Sequence, residues 1–124
     1  MRGVYFTIEE GEEIVIVFEK QQANEIREIN FHDAEIAKII CDYDEGTVMM
    51  PIIVNNIYKQ SALLKFENVV KVEVNRKEPW GAGNYIFEVN VEPDGEAYFS
   101  VGFLLNSGDE ITVIASKMSY EAIS

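Results

Sequence analysis

The sequence has few of the residues that build chemical sites. It contains one cysteine, Cys41, and one histidine, His32, among its 124 residues. A single cysteine excludes an internal disulfide and favours a reducing compartment. A structural zinc ion needs about four Cys or His ligands, so this supply excludes such a site as well. We expect neither a metal nor a cofactor.

Long apolar segments are also absent. The longest run, residues 48–54, contains Pro51 and is too short to cross a bilayer. The chain reaches Glu9 before any apolar stretch of signal-peptide length. With 48% hydrophobic residues, the chain has enough apolar material for one domain, residues 1–124, with its own core. These features predict a single-domain cytoplasmic protein that does not span a membrane.

Basic residues are scarce. Ten lysines and arginines stand against 22 aspartates and glutamates, which gives a formal net charge of −12. Residues 1–45 carry a net charge of −8, residues 46–79 carry +2 and residues 80–124 carry −6. Such a surface repels nucleic-acid phosphates and anionic membranes, and it attracts basic proteins. Acidity also keeps proteins soluble, so the net charge alone does not establish a binding face.

β-Branched and aromatic residues alternate with turn residues at fairly even spacing, which is typical of antiparallel sheet proteins. The sequence predicts about eight or nine strands and at most one short helix, arranged as an antiparallel β-sandwich or a partly closed barrel. The plainest predicted strands are residues 4–8, 14–18, 48–54, 62–66, 69–74, 85–91, 98–105 and 111–115. Two tight turns join the last three of these strands into a C-terminal meander.

Two segments have a less regular pattern. Residues 20–30 contain helix formers and few apolar residues, so a short surface helix or an irregular loop fits them. Residues 35–43 fit either a helix or a strand, and the turn-forming residues 42–46 that follow favour a strand entering a hairpin. Pro51 cannot donate a hydrogen bond to a strand ladder, so it predicts an edge position or a bulge.

The residue patterns that could carry catalysis are incomplete. His32-Asp33 resembles the pair found in metal-dependent phosphohydrolases, but the further histidines that hold the metals in those enzymes are missing. We therefore interpret His32 as a residue at the rim of the sheet and Asp33 as a turn residue. Cys41 lies in an apolar run and is predicted to be a small buried hydrophobe. Residues 42–46 resemble the start of a calcium loop without its distal acid. We therefore expect a protein that is not an enzyme.

Aromatic residues offer two further possibilities. Trp80, the only tryptophan, follows Pro79 in a loop between two predicted strands. Such a residue either anchors an interface or folds back over one end of a small sandwich, and the sequence leaves both alternatives open. A set of aromatic side chains in the second half could line a sugar-binding or ligand-binding pocket, although a core role is more common: Tyr85, Phe87, Tyr98, Phe99 and Phe103.

Several short segments together resemble a known class of small domains. They are Phe31-His32-Asp33-Ala34, Phe66-Glu67-Asn68-Val69, Glu78-Pro79-Trp80 and the C-terminal stretches 111–115 and 118–123. This layout, over about residues 31–123, resembles small bacterial domains of unknown function and immunity proteins encoded beside polymorphic toxins. The resemblance implies a β-rich domain that binds and neutralises one toxin, with no catalytic residue to carry over.

The leading hypothesis is therefore a non-enzymatic protein-binding domain, an immunity protein or comparable inhibitor that neutralises a basic toxin through an acidic face. A nuclease toxin presents a basic cleft, and an acidic inhibitor associates with it quickly through electrostatic steering. The candidate partner-binding residues are Glu9, Glu10, Glu12, Glu13, Asp42, Asp44, Glu45 and Trp80. The alternative is a structural domain that self-assembles as a homo-oligomer, such as a homodimer, through a sheet edge or through the basic segment 59–77.

Overall fold

The computed structural model describes residues 4–8, 13–54, 60–81 and 83–123. These residues form eleven strands and one 3₁₀ helix, which spans Lys20–Glu28. The strands are β1 (Val4–Ile8), β2 (Glu13–Glu19), β3 (Glu35–Ile36), β4 (Ile40–Asp42), β5 (Thr47–Val54), β6 (Gln60–Glu67), β7 (Lys71–Val74), β8 (Ile86–Asp94), β9 (Tyr98–Leu105), β10 (Glu110–Ala115) and β11 (Lys117–Ile123). Within the described ranges, no helix has the length and apolarity needed to cross a membrane.

The strands form two antiparallel sheets. The larger sheet has seven strands in the order β1-β2-β11-β6-β5-β3, with β4 also pairing with β5. The smaller sheet has the order β7-β10-β9-β8, so its last three strands are the predicted meander. The turns of that meander contain Gly95 and Gly108, whose φ angles of 72° and 95° are rarely adopted by residues with a side chain. A mainly-β, sandwich-like fold is confirmed, and the described strands do not close into a barrel.

The number of strands exceeds the prediction partly because of β11. This strand lies in the middle of the larger sheet, hydrogen bonded to β2 on one side and to β6 on the other. Ser116 separates β10 from β11, so the chain passes from one sheet to the other within a single residue. The sequence of β11 mixes helix formers such as Glu121 and Ala122 with Met118 and Tyr120. Pairing on both sides, rather than local preference, places it in the sheet.

The ambiguous segment 35–43 contains strands, as the adjacent turn indicates. β3 and β4 both pair with β5, and a three-residue connector, 37–39, separates them. This connector lies opposite only two residues, Met50 and Pro51, because Ile36 pairs with Ile52 and Ile40 pairs with Met49. The connector therefore has one residue more than β5 at this point, which makes a bulge in the ladder. The bulge lies opposite Pro51, which has no N–H to donate.

The core lies between the two sheets and is rich in phenylalanine. Phe103 is fully buried and packs edge to face against Phe31, at a centroid distance of 5.9 Å, and against Phe66, at 6.4 Å. Phe99 is also fully buried, whereas Phe87 is exposed. The aromatic residues considered for a ligand pocket are therefore divided between core and surface, and they do not line a common cavity.

The 3₁₀ helix closes one side of the sandwich. It follows β2 directly, and Ile26 on its inner face is fully buried. Two of its basic side chains reach the smaller sheet: the Lys20 ammonium donates to the carbonyl of Tyr98 at 2.8 Å, and the Arg27 guanidinium donates to the carbonyl of Val91. Of the two structures that fit residues 20–30, a short helix and an irregular loop, the helix is present, and its cations tie it to β8 and β9.

We expect Phe103→Ala to lower the free energy of unfolding by about 3–5 kcal/mol, because the truncation leaves a cavity where three aromatic rings meet. Phe87→Ala removes the same atoms from an exposed position and serves as the matched control. Urea denaturation followed by circular dichroism measures both effects. Equal losses for the two variants would contradict this description of the core.

Candidate partner-binding surface

The turn of the β4–β5 hairpin carries exposed acidic residues around one aromatic side chain. We call Asp42, Tyr43, Asp44 and Glu45 the acidic tip. Tyr43 is 98% exposed, and the three acidic residues are exposed as well. The Asp42 carboxylate accepts the backbone N–H of Glu45 at 3.0 Å, so it shapes the turn. Asp44 and Glu45 follow Tyr43 directly in the chain, in the same turn.

The acidic tip is fixed to the smaller sheet. The backbone N–H of Val69 donates to the carbonyl of Gly46 at 2.9 Å, which holds the end of the turn against the start of β7. A groove of about 220 Å³ separates β4 from this segment, and Cys41 lines it. The predicted burial of Cys41 is wrong, because β4 is a three-residue strand at the margin of the larger sheet and all of its residues are exposed.

Trp80 projects from the loop between β7 and β8. Its side chain is 77% exposed, so it does not plug the core. The indole ring lies so close to Gly108 that a Cβ atom at that position would overlap it. The backbone N–H of Trp80 also donates to the carbonyl of Ser107 at 3.2 Å. The β9–β10 turn therefore positions an exposed tryptophan, which is consistent with the interface-anchor alternative.

A buried carboxylate organises this loop. Asp109 is only 5% exposed, and its oxygens accept the backbone N–H groups of Lys77 at 2.7 Å and Glu78 at 2.8 Å. The hydroxyl of Ser107 donates to it at 3.3 Å. A buried carboxylate is costly unless it is hydrogen bonded, and these donors offset that cost. Glu78 has a φ of 48° directly before Pro79, a conformation that is disfavoured and that the two bonds to Asp109 hold in place.

A groove of about 520 Å³ lies beside the same loop, between the connector 37–39 and one end of the smaller sheet. The sequence gives no sign of it, because its lining comes from five separate parts of the chain: Ile36, Ala37, Lys38, Ile39, Val74, Asn75, Arg76, Glu78, Gly83, Asn84, Tyr85, Leu105, Asp109 and Ile111. Tyr85 donates its hydroxyl hydrogen bond to Glu35, and this carboxylate raises the pKa of Tyr85 above its ordinary value of 10.0. Nowhere in the described chain do three or more His, Cys, Asp or Glu side chains form a group able to hold a metal ion.

His32 and Asp33 lie at the rim, as interpreted from the sequence. Both side chains are exposed, and the His32 Nε2 atom is 3.6 Å from the Asp33 carboxylate. The other ring nitrogen of His32, Nδ1, lies 3.2 Å from the carbonyl of Phe87. Asp33 adopts a φ of 64° and donates its backbone N–H to Ile86 at 2.8 Å, so it is a turn residue.

The predicted site residues that the structure describes are not brought together. Glu9, Glu10 and Glu12 lie outside the described residues, and Glu13 begins β2 opposite Ile8. Four strand spacings separate β2 from β4 in the larger sheet, which is about 19 Å at ~4.8 Å per spacing. The acidic tip and Trp80 are also separate, since they lie near opposite ends of β7. The structure therefore defines the acidic tip and the Trp80 loop as two distinct surface features.

Comparisons with known proteins support the fold and do not extend to function. No family model matches the chain. No curated protein has significant sequence similarity to it. Among solved structures, it is similar to the crystal structure of an uncharacterized protein from Neisseria gonorrhoeae, with a TM-score of 0.53 and 14% sequence identity over 73% of this chain and 91% of that chain. At this identity the similarity shows the fold alone, and the resemblance to immunity proteins stays a prediction.

We expect Asp109→Ala to lower the free energy of unfolding by about 2–3 kcal/mol, because it leaves the N–H groups of Lys77 and Glu78 without their acceptor. It should also mobilise the loop, which lowers the fluorescence anisotropy of Trp80, the only tryptophan. Asp94→Ala, at the exposed end of β8, is the control. Unchanged stability and anisotropy in Asp109→Ala would show that the carboxylate does not hold the loop.

Proposed function

We propose that the protein is a non-enzymatic binding domain that uses the acidic tip to hold a basic protein partner, as an immunity protein holds its toxin. The observation that carries this proposal is Tyr43, an aromatic side chain that is 98% exposed at the end of a hairpin. A buried position would stabilise the fold, whereas this position leaves nearly the whole ring in solvent. Tyrosine is enriched among the residues that dominate binding energy at protein interfaces.

The charges beside Tyr43 favour a basic partner. Asp44 and Glu45 are exposed and follow Tyr43 directly in the turn. Across an interface, carboxylates of this kind select a positively charged surface and increase the association rate. The net charge of −12 adds a long-range attraction that salt weakens.

The anchoring of the hairpin also supports a binding role. The Asp42 carboxylate and the bond from Val69 to Gly46 hold the turn in one conformation. A preorganised hairpin loses little conformational entropy when a partner binds, so more of the contact energy contributes to affinity. Trp80, which a hydrogen bond to Ser107 and a contact with Gly108 position beyond the other end of β7, is the candidate for a second contact with a large partner.

The proposal predicts that removing two charges from the acidic tip weakens capture of the partner. Wild-type protein bearing an affinity tag should retain one stoichiometric basic protein from a lysate of its own organism at low salt. Asp44→Asn/Glu45→Gln should weaken that binding by at least about tenfold, since hot-spot contacts are worth about 2 kcal/mol or more. Tyr43→Ala should weaken it to a similar extent without any change in net charge.

The matched control is Asp94→Asn/Glu96→Gln, at the end of β8 and in the turn that follows, which removes the same two charges from another exposed hairpin. This control should bind as the wild type does.

The immunity role has a separate readout: the captured protein should inhibit growth when expressed alone, and co-expression with wild type should restore growth. Capture that is equally strong with the acidic-tip variants and the control would contradict the proposed site.

A further inference from the structure

The smaller sheet ends in a strand with an open edge. β7 pairs with β10 on one side, with Val74 opposite Ile111 and Val72 opposite Val113. Among the described strands, none pairs with its other side. Edge strands expose a row of backbone N–H and C=O groups that a further strand can bind.

The register shows which backbone groups are free. The N–H of Asn75 donates to the carbonyl of Glu110, directly across the ladder, at 2.9 Å. In an antiparallel ladder, hydrogen-bonded and non-hydrogen-bonded pairs alternate. Glu73 therefore also bonds to β10, whereas the N–H and C=O groups of Val72 and Val74 point away from it.

From this edge we propose that β7 pairs with β7 of a second copy of the chain, antiparallel, about a two-fold axis at Val72. In this arrangement the two Val72 residues exchange both of their free backbone hydrogen bonds. Lys71 of each copy then lies opposite Glu73 of the other, so that two pairs of opposite charge flank the axis. Both side chains are exposed and form no ion pair with any described residue.

The neighbouring registers lack this complementarity. An axis at Glu73 would place two carboxylates directly opposite each other, and an axis at Lys71 would do the same with two ammonium groups. Directly opposite like charges destabilise a strand pair, whereas opposite charges stabilise it. The axis at Val72 alone among these three positions matches every charge on β7 with its opposite.

The segment before Lys71 does not continue this register. The backbone N–H of Val70 donates at 2.9 Å to the carbonyl of Ile114, the residue that already pairs with Lys71, so Val70 offers no free donor to a second copy. Val74, which is 48% exposed, remains available at the other end of β7. The free hydrogen-bonding groups and the charges therefore favour one occupant, a second copy of this chain.

This inference does not depend on the proposed function. The acidic tip is a neighbour of β7, because Asp42 and Tyr43 line the same groove as Lys71 and Val72. The two tests still separate the proposals: dimerisation is measured on the protein alone with Lys71 and Glu73 changed, whereas capture of a basic protein is measured with Asp44 and Glu45 changed.

The experiment is sedimentation velocity on purified full-length protein over a wide concentration series. The wild type should form a dimer, and each of Lys71→Glu and Glu73→Lys should raise the dimer dissociation constant by at least about tenfold, because each reversal creates two like-charge pairs. Mixing these two variants in equal amounts should restore a dimer, since every facing pair is then oppositely charged. The double variant Lys71→Glu/Glu73→Lys should dimerise as the wild type does.

Glu96→Lys is the control for Glu73→Lys, since it makes the same change in net charge at an exposed turn away from β7. It should leave dimerisation unchanged. Circular dichroism on each variant separates loss of pairing from loss of fold, and recovery in the mixture shows that both single variants are folded. A wild type that stays monomeric at all concentrations, or a dimer that neither reversal weakens, would overturn the proposal.

Discussion

The unequal width of the two sheets determines what this protein presents to solvent. A four-stranded sheet cannot cover a seven-stranded one, so part of the larger sheet needs another cover. On one side the 3₁₀ helix supplies it, with Ile26 buried and Lys20 and Arg27 bound to carbonyls of the smaller sheet. On the side where β4 and β7 lie, no described helix fills the space. Grooves, an open strand edge and the acidic tip are found there together.

Carboxylates have two different roles in this arrangement. Asp109 is buried and surrounded by backbone donors, so its charge holds the loop that ends at β8 and thereby positions Trp80. Asp44 and Glu45 are exposed beside Tyr43, where their charge is free to act on another molecule. The same residue type stabilises structure in the first case and favours association in the second, and burial together with hydrogen bonding decides between the roles.

Local patterns predicted the strands well where turns mark their ends. The meander of β8, β9 and β10 follows from alternating hydrophobicity and glycine turns, and Pro51 correctly indicated a break in its ladder. β11 was missed because its position depends on partners far away in the chain. Cys41 was misplaced because an apolar run does not show that its strand lies at a margin. The role of Asp109 depends on amides about 31 residues away, which no local pattern contains.

The most direct test of the central claim, that the acidic tip contacts a basic protein, is site-specific photocrosslinking. A benzophenone amino acid in place of Tyr43 should crosslink to one basic protein when cells are irradiated. When a lysate is irradiated instead, the yield of this crosslinked product should fall as the salt concentration is raised. The same group in place of Ala97, in the exposed β8–β9 turn, provides the comparison. A salt-sensitive crosslink from position 43 alone is the predicted result. No crosslink from position 43, or the same products from both positions, would contradict the claim.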